Sequence, residues 1–281
     1  MNEKSHITYK ELLDLISWGL FSMKVKGVQI VDGRLNQYAL KGIKNACYNG
    51  IYVGSPGRDI YYMLPFLNET QMEEVVDKVA DKFPKIPPDN HVNIGMFVRF
   101  LYGQFEKNGT LRSDKDLERM QNEIIDWDSS RKFIKLLFNK MVSSDNFYGM
   151  CILYEMEAHR LGDEAILNSD SEKFVKMEEM YNKSVEFAHK CESYKQMFTP
   201  YYWCFEYFKK GKNKNKALEY SYLTMKNAEK YCPDARPGYI SKLLSCIKYI
   251  KKYDKKNWKN FCKIYKNSKN KCVKNTFKKM K

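Results

Sequence analysis

From residue 147 onward, hydrophobic side chains recur with the 3.6-residue period of an α-helix in one segment after another, separated by short polar loops. No other feature restricts the fold as strongly, because a strand exposes its faces with a period of two. The spacing predicts helices over 147–161, 171–191, 194–209, 215–231, 238–253 and 256–265, with RLGDEAILNSD, KKGKNK and CPDARPG as loops. Short loops between amphipathic helices make neighbours antiparallel, so the expected fold class is all-α, built of antiparallel helix hairpins. Hydrophobic residues at 43% and aromatics at 15% give ample material for a packed interior.

The first 142 residues are less regular. Leu12, Leu13, Ile16, Leu20 and Met23 lie on or near one face of a helix predicted over 8–23, and Thr8 with Glu11 fits a capping box. VKGVQIVDGR is a short β-like run ended by the turn signal Asp32-Gly33, which suits a small hairpin or an extended connection. A helix over 35–48 and a loop at NGIYVGSPGRD follow. Next come DIYYMLPFL, a break at Asn68 and a charged amphipathic helix over 69–83, which together read as a helix hairpin. Pro65 confines the first arm to about two turns, since proline removes an amide donor and clashes with the preceding turn. Further helices are expected over 91–105, 113–125 and 129–141. The chain divides on this reading into an irregular helical region 1–142, a hairpin region 143–253 and a basic helix and tail 254–281.

SEKFVKMEEMYNKSVEFAHKC and NKALEYSYLTMKNAEKYCPD share a form, a charged helix with Tyr and Ala on its buried side and a terminal Cys. KALEYSYLTMKNAEKYCPD resembles the second helix of a tetratricopeptide-like repeat, with small Ala217 and Ala228 where helices pack closely and Pro233 five residues after Ala228. The resemblance covers residues 146–253; the family's first-helix Trp-Leu-Gly-Tyr pattern is not present in register. DIYYMLPFLNETQMEEVVDKVADKF is similar to a HEAT-type unit. What these resemblances imply is a right-handed, tetratricopeptide-like solenoid whose concave face binds a protein or peptide.

The formal net charge is +15, but it is not spread along the chain. From Lys248 to Lys281 there are fourteen lysines and one acid, Asp254, leaving only +2 for everything before. A positive field concentrated at one end attracts polyanions such as nucleic acid, anionic lipid or an acidic protein surface. Trp258, Phe261, Cys262 and Tyr265 recur at i, i+3, i+4 and i+7, so the basic segment has a face that can dock. Its lysines are then either a solvated surface or a phosphate-contacting face made of Lys251, Lys252, Lys255, Lys256, Lys259, Lys263 and Lys266. Beyond residue 267 the polar KNSKNKCVKN stretch is expected to fray.

Candidate chemistry is sparse. Of the four histidines, His6, His91, His159 and His189, only the last pairs with an acid at ligand spacing, Glu186 at i, i+3, and a second such motif is missing. The acids of EMEAH, Glu155 and Glu157, do not build a matched set with His159. GSPGRD lacks the Walker pattern and reads as a turn, and Asp128 with Ser129 reads as a helix start. The eight cysteines show no CxxC pair, so reduced core thiols are expected. No catalytic residue, metal or cofactor is predicted. The dense aromatic run Tyr201, Tyr202, Trp203, Phe205, Tyr207 and Phe208 must meet neighbours on several sides, and it supplies the candidate anchors for a protein partner. No apolar run is long enough for a membrane span, and no signal peptide is read at the start. The expectation is a cytoplasmic, non-enzymatic interaction module, with nucleic-acid binding through the basic segment as the competing class.

Overall fold

The computed structural model describes residues 63–87 and 127–280, the backbone of 24–25, 28–31 and 34–35, and single helical positions at Tyr9, Lys10, Leu13, Ile16, Ile60 and Val98. Both long segments are helical. The helices expected over 35–48, 91–105 and 113–125 and the loop 49–59 lie outside the described residues, apart from helical Val98 and from Leu35, which closes a strand. The chain forms two compact units, Met1–Met156 and Glu157–Lys281.

In the first unit, β1 (Lys24–Val25), β2 (Val28–Val31) and β3 (Arg34–Leu35) pair antiparallel in chain order. Val31 lies opposite Arg34, so the β-like run is a small meander. Pro65 sits in a short 3-10 turn, Leu64–Phe66, and Asn68 then starts α1 (Glu69–Lys82) with a reciprocal capping box to Gln71. The valines of α1, Val75, Val76 and Val79, are buried, as are Phe133, Leu137 and Met141 of α2 (Trp127–Ser143). Lys132 reaches Glu69 at 2.6 Å and Lys140 reaches Asp77 at 2.7 Å, so α1 and α2 run parallel. Asn146 donates to the carbonyl of Phe83 at 3.2 Å and accepts from the Gly149 amide at 2.8 Å, which opens α3 (Phe147–Asn168).

The second unit holds the end of α3, then α4 (Ser171–Lys190), α5 (Thr199–Lys210), α6 (Lys214–Tyr231), α7 (Pro237–Tyr253), α8 (Trp258–Tyr265) and α9 (Lys271–Lys278). His159 of α3 meets Trp203 of α5 at 5.0 Å, and Asp163, one turn on, meets Tyr207, so α3 and α5 run parallel. Phe198 with Tyr239 and Phe205 with Tyr249, both at 5.2 Å, make α5 and α7 parallel. Glu178 with Lys216 and His189 with Tyr231 do the same for α4 and α6. From α3 to α7 each helix therefore lies beside its second neighbour and points the same way.

The connections share one device. After each of α2, α3, α4 and α5 comes a single left-handed residue, Asp145, Ser169, Glu192 or Lys212. The residue after it returns its amide to a carbonyl inside the helix, as Asp170 does to Ala165 and Asn213 to Phe208, closing the last turn in the Schellman manner. Asp170 and Asn213 then cap the next helices with their side chains.

Three expectations are corrected. Residues 162–168 continue α3 and are not a loop: Leu161, Asp163 and Ala165 are buried, and Gly162 lies where the Tyr207 ring meets the helix backbone. α5 begins at Thr199, not 194, because Pro200 needs no amide donor and so fits the first turn. The segment beyond residue 267 does not fray. It forms α9, which buries Cys272, Val273 and Thr276 and is capped by Asn270.

Candidate polyanion-binding surface

The basic surface is built where the chain turns back after α7. Asp254 ends that helix; its carboxylate accepts from the Asn257 backbone amide at 3.2 Å, from Asn257 Nδ2 at 3.0 Å and from the Tyr222 hydroxyl at 2.9 Å. Those bonds, Asn257 foremost, hold its carboxyl below the ordinary carboxylate range. The one acid of the segment is thus committed to the turn.

α8 then docks through the face read from the sequence. Phe261 is buried against Tyr222 at 5.6 Å and Phe277 at 6.0 Å, with Trp258 stacked on it at 5.7 Å and Tyr265 at 4.8 Å. α9 packs on α6 and α7. The Ser268 hydroxyl donates to Glu229, and Asn270 Nδ2 donates to the carbonyls of Ala228 at 3.2 Å and Cys232 at 3.1 Å. Two short helices are thereby fixed along α6 by their apolar sides.

The opposite sides carry the charge. Lys251, Lys252, Lys255, Lys256, Lys259, Lys263 and Lys266 are all exposed, as are Lys269, Lys271, Lys274 and Lys278. Lys259, Lys263 and Lys266 share a face of α8 at i, i+4, i+7, and Lys271, Lys274 and Lys278 share one of α9 at i, i+3, i+7. Among the described residues none of these lysines is in an ion pair. Lys251 lies over the Trp258 ring at 5.8 Å and Lys252 over Tyr253 at 4.9 Å. Some cations elsewhere are matched: Arg160 bridges Glu157 and Glu164, Lys173 meets Glu164 at 2.8 Å, and Lys209 meets Glu206 at 2.7 Å. An array of hydrated ammonium groups on a fixed helical frame contacts phosphate oxygens as point charges, which positions a backbone without reading its sequence.

The aromatic run of α5 divides. Phe205, Tyr207 and Phe208 are buried: Phe208 stacks between Phe174 at 5.5 Å and Tyr220 at 5.6 Å, and Phe205 meets Tyr249. These three serve the core. Tyr201, Tyr202 and Trp203 are half-buried, and Lys242 lies over the rings of Tyr202 at 4.3 Å and Trp203 at 4.0 Å.

Sequence reasoning missed one polar centre. His159, buried, has its Nδ1 3.0 Å from the Tyr181 hydroxyl and 3.2 Å from the Tyr207 hydroxyl, and the one Tyr207 proton is shared between the His159 carbonyl at 3.0 Å and Asp163 at 2.9 Å. Tyr181 and Tyr207 stand more than twenty residues from His159 on two other helices, so no local motif could reveal it. Glu186 pairs with Lys190 and His189 lies edge-on to Tyr231. Among the described residues no three His, Cys, Asp or Glu side chains come together as a metal-ligating group, and no helix is long and apolar enough to cross a membrane. His6, His91 and GSPGRD lie outside the described residues. No family model matches the chain, and neither does any curated protein or solved structure.

Proposed function

We propose that this chain is a non-enzymatic helical binding protein that takes a nucleic-acid backbone on the lysine surface of α8 and α9. The observation that carries the reading is the state of the lysines of this surface, from Lys251 to Lys266 around α8 and from Lys269 to Lys278 around α9: all are exposed, and among the described residues none is in an ion pair. Their frame is docked, so its ordering cost is met in the free protein, which favours binding. Each phosphate neutralised releases counterions, so engagement of about six lysines by a duplex gives a log–log salt slope of about −5.

The test is titration of fluorescent single-stranded and duplex DNA and RNA against the full chain at several salt concentrations. Replacing Lys259, Lys263 and Lys266 together by Ser is expected to weaken binding and make the slope shallower by about 2 to 3. Replacing Lys132, which is paired with Glu69, changes neither. Binding that ignores salt, or is untouched by the triple substitution, sinks the proposal.

A second reading keeps the tetratricopeptide-like resemblance, a solenoid groove for a protein or peptide with Tyr201, Tyr202 and Trp203 as anchors. The parallel second-neighbour helices support it, because stacked helical repeats set equivalent helices side by side. Salt-resistant retention of a protein partner by the triple variant, lost on Trp203→Ala, would favour this reading. The described cysteines are all free, which suits a reducing compartment and so the cytoplasm.

A further inference from the structure

We propose that Cys232 and Cys272 are a redox-active dithiol that a small-molecule disulfide such as glutathione disulfide closes into a reversible cross-link, joining α9 to the end of α6. Cys232 is the residue at which α6 stops, and Cys272 lies in the first turn of α9, forty positions on. Asn270 brings them together with one side chain. Its Nδ2 donates to the Cys232 carbonyl at 3.1 Å while its Oδ1 accepts from the Cys272 amide at 2.9 Å. The Cys232 sulfur lies 3.3 Å from the Asp234 carbonyl, and the two thiols are near enough for each to shift the ionisation of the other. Both are free and buried, Cys232 at 6% and Cys272 at 0% exposure.

The two thiols are unequal. The hydrogen bond from Cys232, against the opposing effect of burial, draws the Cys272 thiol below the ordinary cysteine value, and the same contact pushes Cys232 up. Placement in the first turn of a helix favours a Cys272 thiolate in the same direction. Cys272 is thus the attacking sulfur and Cys232 the resolving one. Cys272 has no direct solvent access, so reaction proceeds through local opening of α9, an eight-residue helix.

In the first step the Cys272 thiolate attacks one sulfur of glutathione disulfide; its S–S bond breaks and one glutathione thiolate leaves and takes up a proton. In the second, with α9 closed again, Cys232 loses its proton and attacks the Cys272 sulfur of the mixed disulfide, and the second glutathione thiolate departs protonated. Two protein thiols are oxidised and one glutathione disulfide is reduced to two glutathiones. Among the described residues no third ligand joins the pair, so a metal site is not the competing use.

The experiment is incubation of the full chain in glutathione buffers of graded oxidation, quenching with an alkylating agent, and intact-mass and peptide analysis. The native chain should lose two hydrogens and yield a Cys232–Cys272 peptide at about tenfold or greater excess over any other pair. Cys272→Ser abolishes the link. Cys232→Ser accumulates glutathione on Cys272, because the resolving thiol is missing. Cys191 and Cys262, half-buried thiols raised by burial, serve as internal references for simple accessibility. The proposal is overturned if those two are modified while Cys232 and Cys272 stay reduced, or if the link forms only in chain unfolded by denaturant. It is equally overturned if Cys232→Ser leaves Cys272 free of glutathione in a chain with unchanged thermal unfolding.

Discussion

Replacing Gly162 by Ala should destabilise the second unit, although glycine in a helix interior is ordinarily the weaker choice. Alanine gains about 1 kcal/mol over glycine by helix propensity alone. Here the added Cβ would stand 2.6 Å from Tyr207 Cε1, 2.7 Å from Cδ1 and 2.8 Å from Cζ, distances at which something must move. The ring has nowhere to go, being fully buried with its hydroxyl bonded to Asp163 and to the His159 carbonyl. Overpacking of this kind costs about 1–3 kcal/mol, and disturbing either hydrogen bond adds about 1 kcal/mol. The net expectation is a loss of about 2 kcal/mol, a fall of about 6–8 °C in thermal midpoint for a unit of this size. Calorimetry of parent and Gly162→Ala measures it, and Gly162→Ala combined with Tyr207→Leu should cost less than the sum of the two alone. A variant as stable as the parent would refute the claim that Tyr207 closes on this backbone.

Three further expectations rest on single contacts. Asn270→Ala removes the cap of α9 and its tie to α6, worth about 1–2 kcal/mol, and should speed amide exchange in α9 and alkylation of Cys272 about tenfold while leaving α4 unchanged. Lys212 is exposed at φ 60°, so Lys212→Gly should raise the thermal midpoint by the equivalent of about 1 kcal/mol. Burial opposes ionisation of Glu164, yet the Lys173 hydrogen bond and the Arg160 charge outweigh it and hold its carboxyl below the ordinary 4.5. Its contribution is therefore complete above that value and is lost as pH falls through the lower folded one; thermal midpoints from about pH 7 to about pH 3 should drop more steeply for the parent than for Glu164→Gln.

Helices α4, α6 and α7 were legible almost to the residue, because each carries its 3.6-residue period unbroken over about five turns. The end of α3 was harder to read, since Ser169 takes the left-handed position without being glycine and so gives no stop signal. Gly162 misled in the opposite sense: a glycine retained for close approach looks like a loop glycine until its neighbour is known. In α9 the total polarity of KNSKNKCVKN hid a small stripe of Cys272, Val273 and Thr276, and Asn270 was the available cue. The exposed lysines could be foreseen because charge stays in water by default. The His159 centre and the Cys232–Cys272 contact could not, because each depends on which helices become neighbours.

The same lysines that suit a polyanion also burden the fold. Like charges on α7, α8 and α9 repel one another, and the segment sets against them a single acid, Asp254, whose charge acts on nearby Lys256. Added salt screens that repulsion over about 8–10 Å, so the free chain should hold α9 more firmly as salt rises. A bound nucleic-acid backbone relieves the same repulsion, and it does so best where salt is low and counterion release is most favourable. Salt and polyanion are therefore substitutes. Protection of α9 amides should rise with salt in the free chain, should rise with nucleic acid at low salt, and should gain little from nucleic acid at high salt. Protection that falls with salt would mean that contacts other than lysine repulsion govern this end of the chain, and the charge argument would then have to be abandoned for the binding surface as well.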